Sequence, residues 1–408
     1  SKGVSERQVE NLEKAIELGN GALQVILDYG DPQLNPQLWA EIHYNLGTFH
    51  FMLIKRGHEI NHEKAIEHFK QALKIHTPQA FPRNCRNTAV TLGNLAFDIK
   101  NWGLSTEAYK KAFDAQEVLM QASFTQFGKK TELAQIEDWP SRAAYAQMQI
   151  GMDKHTTEVL EQGRAQLLRE ALERQREDLK HLPALGFKSL YDDYQQAIEQ
   201  YDAMQSQEIS EKAPSAKLTS QIEKAHEKVV SATDAIREKA GKQHPQYRHF
   251  LQALPFPEIQ KQASEKPLVY LCTTTIGGLA LIITQQGVQC LELDEFNDAS
   301  LQERLGRPSK ELDRVNAHIQ QGRITLKDIQ AVKDDYLSMY RLWGMMPSLK
   351  NTSSELKMKL HEAWFETLDK TTRWLWDAFL GRLISELKKY GDAAILVPTG
   401  RLALLPLH

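Results

Sequence analysis

Two leucine–glycine pairs, Leu46-Gly47 and Leu92-Gly93, are each followed by a small–aromatic–small triplet with offsets of 0, 4 and 7. The first triplet is Ala65, Phe69 and Ala72, with Pro78 as a stop, and the second is Ser105, Tyr109 and Ala112. Such offsets return to one face of an α-helix. Small residues let two helices approach closely, and the aromatic ring fills the gap between them. Weaker copies stand at Ala15, Gly19 and Ala22 and at Thr156, Leu160 and Gly163. Several degenerate copies of one helix pair predict a stacked helical solenoid.

The first clear copy has about six extra residues ahead of Ala65, and the stretch HEINH, residues 58–62, falls among them. Its letters match H-E-x-x-H, in which two histidines on one helix face hold zinc beside a glutamate. Gly57 breaks the helix just before His58, and Asn61 is a good N-cap for the helix carrying Ala65, Phe69 and Ala72. A cap there puts His58 and His62 on opposite sides of a helix boundary, where they cannot share the one-turn spacing. The expected metal site is none, and no cofactor is expected.

The pattern resembles the tetratricopeptide repeat. In such repeats the first helices line a concave groove, which here would hold a protein regulator or a protein substrate. Counting from the Leu-Gly pairs, Tyr44, Thr48 and Phe51 face the groove in one repeat, and Asn87, Asn94 and Phe97 in the next. Packing between repeats explains the aromatics equally well. Asn94 is the better candidate, because an exposed amide can bond a peptide backbone.

From about 130 to 245 the helical pattern lengthens. Val159, Leu160, Leu167, Leu168 and Leu172 lie close to one stripe, which Pro183 and Gly186 end. Two long amphipathic helices follow, near 187–208 and 214–240, with charge runs that read as solvated faces. The texture changes near 266. PLVYLCTTTIGGLALIIT, residues 267–284, is long enough to suggest a membrane span, but its threonines, β-branched residues and Gly277-Gly278 pair predict two strands joined by a turn. With VQCLELDEF it forms a β-meander. Helices resume over about 299–390, the last one rich in aromatics (Trp364, Phe365, Trp374, Trp376, Phe379), and Ala393 to Val397 reads as one fully buried strand. Strand, helices, strand is an α/β arrangement.

A net charge of −3 without a dense Lys/Arg block excludes a nucleic-acid footprint. Three cysteines, Cys85, Cys272 and Cys290, fit no disulfide framework or metal spacing and predict a reducing cytoplasm.

The second half carries a further resemblance. EQGRAQLLRE at 161–170, the strands of 267–284 with the Gly-Val strand after them, and ILVPTGRLALLPLH at 395–408 are similar to the CHAT proteins, bacterial caspase-like domains fused to tetratricopeptide repeats. The implied fold is mainly α: a tetratricopeptide-repeat helical solenoid over 1–180, a long helical hairpin connector over 181–265, and over 266–408 the front, incomplete part of an α/β caspase-like domain. The implied activity is that of a cysteine endopeptidase, in which a histidine activates a cysteine thiolate and backbone N–H groups hold the oxyanion. In that family both residues follow the Leu-Pro signature, so they are expected beyond residue 408. Cys272 reads as an inert strand residue, Cys290 has no basic neighbour in sequence, and His408 comes too early to match.

Ser1 in place of methionine predicts a start that has been processed or cut, and the lone strand with the apolar tail LALLPLH predicts that a further segment, the remainder of the CHAT domain, completes the sheet. The alternative is a non-catalytic adaptor with a degenerate α/β domain.

Overall fold

In the computed structural model, Asn35 opens the first clear repeat by accepting a hydrogen bond from the Leu38 amide at 3.1 Å, and Pro36 supplies the fixed φ that suits a first helical position. The structure describes all residues except 1, 30–34, 58–61, 123–138, 168–178, 211–215, 251–253, 307–312, 316, 319–323, 349–352 and 408. The chain divides into two compact units, Ser1–Leu254 and Pro255–His408.

The first unit is helical. Its helices are α1 (Lys2–Tyr29), α2 (Pro36–Ile54), α3 (His62–Ala72), α4 (Pro82–Asp98), α5 (Trp102–Ala122), α6 (Trp139–Gln149), α7 (Asp153–Leu167), α8 (Lys188–Ser210) and α9 (Ala216–Ala235), the last continuing through a π-turn. They pack as sequence neighbours: α2 on α3, α4 on α5, α6 on α7 and α8 on α9. Ala65, Phe69 and Ala72 are buried, as are Ser105, Tyr109 and Ala112. A Cβ built on Gly47 would lie 2.8 Å from the Phe69 ring, and one on Gly93 would lie 2.7 Å from the Tyr109 ring. The glycine and the aromatic therefore occupy one shared volume in each pair. The weaker copies place Gly19 against Leu46 and Gly163 against Pro140.

His62 is the first residue of α3, whereas His58 and Asn61 lie outside the described residues, and so does the cap expected there. Leu168 and Leu172 of the long stripe lie outside them as well. The helices α8 and α9 share an aromatic core of Tyr194, Tyr201, Tyr247 and Phe250, to which Leu179, Leu182 and Val118 contribute.

The second unit holds a four-stranded mixed sheet of order β3-β2-β1-β4, formed by β1 (Leu268–Thr273), β2 (Gly278–Thr284), β3 (Gly287–Leu293) and β4 (Ile395–Pro398). The meander is antiparallel, with Cys272 opposite Leu279 and Leu281 opposite Cys290. Thr274 closes its first turn: its hydroxyl donates to the Gly277 carbonyl at 2.7 Å. β1 and β2 are buried along their whole length, which explains why 267–284 looks like a membrane span. Among the described residues, no helix is long and apolar enough to cross a membrane.

Helices return as α10 (Phe256–Gln262) before the sheet, then α11 (Asp298–Leu305), α12 (Leu326–Val332), α13 (Tyr336–Gly344) and α14 (Ser354–Leu375). A π-turn at Trp376–Leu380 leads from α14 into α15 (Gly381–Leu387). Leu360, Trp364, Leu375, Phe379 and Leu383 line the buried face of this long helix, and they share a core with Val269, Leu271, Ala280 and Ile282 of the sheet.

β4 joins β1 in parallel, with Leu268 opposite Ile395 and Leu271 opposite Pro398. The expectation of a fully buried strand is corrected here: Ile395 is 46% exposed and the rest of β4 is only partly covered. The reason is position. β4 is an edge strand, paired on one side only among the described residues.

Candidate protein-interaction site

The first helices of three successive pairs, α2, α4 and α6, carry one connected set of polar and aromatic side chains. Its centre is Asn94 on α4. The Asn94 carbonyl oxygen accepts from the Tyr109 hydroxyl at 2.7 Å and from Arg142 Nη1 at 3.4 Å. Tyr109 is 1% exposed, and burial pushes its hydroxyl pKa upward, so it stays protonated and donating. Its oxygen is engaged by two donors, and the amide N–H groups of Asn94 show no hydrogen bond among the described residues.

One helical turn further along α4, Asp98 pairs with Nζ of Lys55, the residue that caps the end of α2, at 2.5 Å and with Arg142 Nη1 of α6 at 3.7 Å. The two cations also lie over aromatic faces, Lys55 5.1 Å from the Phe51 ring centroid and Arg142 5.6 Å from that of Phe97. Two cations around one carboxylate give this three-residue cluster a formal charge of +1.

The six residues expected to face a groove divide by role. Phe51 is half-buried under Lys55, and Tyr44 is half-buried with its ring 6.2 Å from that of Phe69. The Thr48 hydroxyl donates to the Tyr44 carbonyl one turn back at 2.9 Å, which ties it to its own helix. Asn87 is exposed, and its side-chain oxygen accepts from the buried Arg86 at 3.2 Å, so it holds that guanidinium in place. Asn94 lies at the centre of the network. Phe97 is completely buried, edge-on to Trp102 and Tyr145, and serves the core.

Lys55, Asp98 and Arg142 were missed by sequence reasoning. Lys55 and Asp98 follow Phe51 and Asn94 by four residues, so extending each stripe by one turn finds them. Arg142 follows a segment without a repeat signal and had none to find it by. The set offers N–H donors, cations and aromatic faces. That chemistry suits backbone carbonyls and carboxylates of a bound peptide.

A second cluster lies between α2 and α3. His43 Nδ1 and His68 Nδ1 are 2.9 Å apart, so one ring donates a proton to the other, and His50 stacks on His68 at 5.6 Å between centroids. Burial, followed by the charges of His43 and His50, holds the His68 pKa down to about 4, and burial lowers that of His43. Among the described residues, no three His, Cys, Asp or Glu side chains are placed to hold a metal ion.

The cysteines are divided by exposure. Cys85 is buried and its thiol is pushed up to about 12 by desolvation; Cys272 is buried in β1, and Cys290 is half-exposed on β3. His408 lies outside the described residues.

No family model, curated protein or solved structure matches this chain.

Proposed function

We propose that the chain is the regulatory and scaffold portion of a caspase-like cysteine endopeptidase, whose tetratricopeptide-type pairs hold a protein regulator or substrate across α2, α4 and α6. The observation that carries the scaffold reading is the repeated contact of Phe69 on Gly47 and Tyr109 on Gly93, each joining the first and second helices of a pair. A protein ligand would lie over Phe51, Lys55, Asn94 and Arg142. The parallel pairing of β1 with the edge strand β4 supports the caspase-like reading of the second unit, because a further parallel strand can add beside β4. The histidine and cysteine of the peptidase are then supplied by that further segment.

The alternative is a non-catalytic adaptor, which needs no reactive cysteine; Cys85 and Cys272 are buried and unsuited to attack a peptide, and Cys290 is half-exposed. Treating the complete gene product with a thiol-reactive peptide probe separates the two. Labelling of a cysteine beyond His408 supports the peptidase, and a product with no labelled cysteine in any condition leaves only the adaptor. The groove is tested apart from the chemistry: Asn94→Ala and Arg142→Ala should abolish capture of the protein that the wild-type chain retains, while circular dichroism still shows a folded chain. Retention by both variants removes this face from the proposal.

A further inference from the structure

Helix α3 is flanked by histidines on both of its packed sides. Toward α2, the Nδ1 atoms of His68 and His43 stand 2.9 Å apart, and His50 stacks on His68 with 10° between the planes. Toward α4, His76, just past the end of α3, meets Thr88 and Asn84. His43, His50 and His76 are buried, and His68 is half-buried.

These contacts need neutral rings. In the His43–His68 pair one Nδ1 donates and the other accepts. Two protonated rings would set N–H against N–H at that distance. His43 Nε2, buried with no hydrogen-bond partner among the described residues, would then carry a proton without an acceptor. At His76 the Thr88 hydroxyl spends its own proton on the Asn84 carbonyl at 2.8 Å, so Nδ1 is the donor to that oxygen at 3.3 Å. The Asn84 side-chain amide then donates to Nε2 at 3.5 Å, and a proton on Nε2 would face that N–H. Burial holds His68 and His76 alike to about 4.

Beyond the rings themselves, the charges acting on the pair are those of Glu67, which favours protonation of both, and of Lys64 at His68 and Lys74 at His43, which oppose it. The charged side chains of α1 from Glu6 to Asp28, Glu41 of α2 and Arg83 of α4 are exposed. Also on α4, Arg86 is bound to Gln116 and Asn87, and Asp98 to Lys55 and Arg142. No carboxylate is therefore placed to take up all the charge that acid would bring. α3 has little else to hold it: only Ala65, Phe69 and Ala72 are buried, and its 11 residues are too few for a helix to stand alone. Segments with few buried apolar contacts open locally before the whole fold does.

We propose that α3 is an acid-operated latch: protonation of the rings on its two sides releases it from α2 and α4 while the rest of the first unit stays folded. Phe69 then leaves Gly47, and Tyr44, whose ring lies 6.2 Å from that of Phe69, loses its support. The inference depends on neither the peptidase reading nor the identity of a bound protein.

Hydrogen exchange of the whole chain, read by mass spectrometry and corrected for the intrinsic pH dependence of exchange, tests it. Between pH 7.5 and pH 5, peptides of α3 should lose protection by about twenty-five-fold or more, the factor supplied by one ring held to about 4 when closed and 6.5 when released. Peptides of α5 and α6 should keep theirs. His68→Asn, whose amide can still bond His43 Nδ1 but takes up no proton, should remove that factor. Equal losses in α3, α5 and α6 would mean that acid unfolds the unit as a whole, which overturns the proposal. Undiminished protection of α3, or a loss that His68→Asn leaves intact, overturns it as well. The comparison between helices of the wild-type chain decides the matter even where the variant does not fold.

Discussion

Gly47 on α2 and Phe69 on α3 meet so closely that a Cβ on the glycine would stand 2.8 Å from the ring carbons Cδ1 and Cε1. Phe69 is fully buried and cannot turn aside into solvent. Gly47→Ala is therefore expected to destabilise the first unit by about 1–3 kcal/mol through overpacking, despite the better helix propensity of alanine. Gly21 on α1 has open space around its Cβ direction, and Gly21→Ala should stabilise by up to about 1 kcal/mol. Urea unfolding of the two variants checks both signs, and equal effects would contradict the close packing of α2 on α3.

Tyr109 to Asn94 is the second measurable contact. Tyr109→Phe removes a 2.7 Å hydrogen bond beneath the candidate groove. The expected cost is about 1 kcal/mol, and most of it should vanish in an Asn94→Ala background. A double-mutant cycle on unfolding free energy reads the coupling. A coupling near zero would mean the bond is not formed in solution.

The paired imidazoles predict an acid-sensitive first unit. The His68 pKa is held to about 4 against an ordinary 6.5, and buried His76 is also held to about 4. Between those values the unfolded chain binds protons that the folded chain does not, so the stability these groups contribute is full above pH 6.5 and lost as pH falls toward 4. Glu67 opposes the lowering at His43 and His68, while Lys64 at His68 and Lys74 at His43 add to it. Asp202, raised to about 6 by burial, works against the trend over part of the range. His68→Gln should reduce the pH slope of unfolding free energy in this window by up to about 1.4 kcal/mol per pH unit. An unchanged slope would place His68 in solvent.

Thiol reactivity should follow burial. Cys290 is expected to react first with a small thiol reagent under native conditions, and Cys85 and Cys272 only on unfolding. Mass spectrometry of tryptic peptides gives the order. Early labelling of Cys85 would show that α4 is not packed as described.

Much of the helical unit was legible because its rules are local. Offsets of four and seven fix a helix face, and a glycine opposite an aromatic fixes what that face meets, so Ala65, Phe69 and Ala72 could be named in advance. β-Branched runs, glycines and short turns likewise gave the meander. Phe97 shows the limit. Its position on a first helix is compatible with either a groove or a core, and only Trp102 and Tyr145 packed against it decide for the core.

By itself the sequence determined which segments are helices or strands and which faces are apolar, because periodicity and turn chemistry act within a few residues. The tertiary structure alone decided that Arg142 reaches Asn94 and Asp98 across two helices, that His43 meets His68, and that β4 is an edge strand. These depend on which surfaces are brought together, and an apolar stripe does not specify its neighbour.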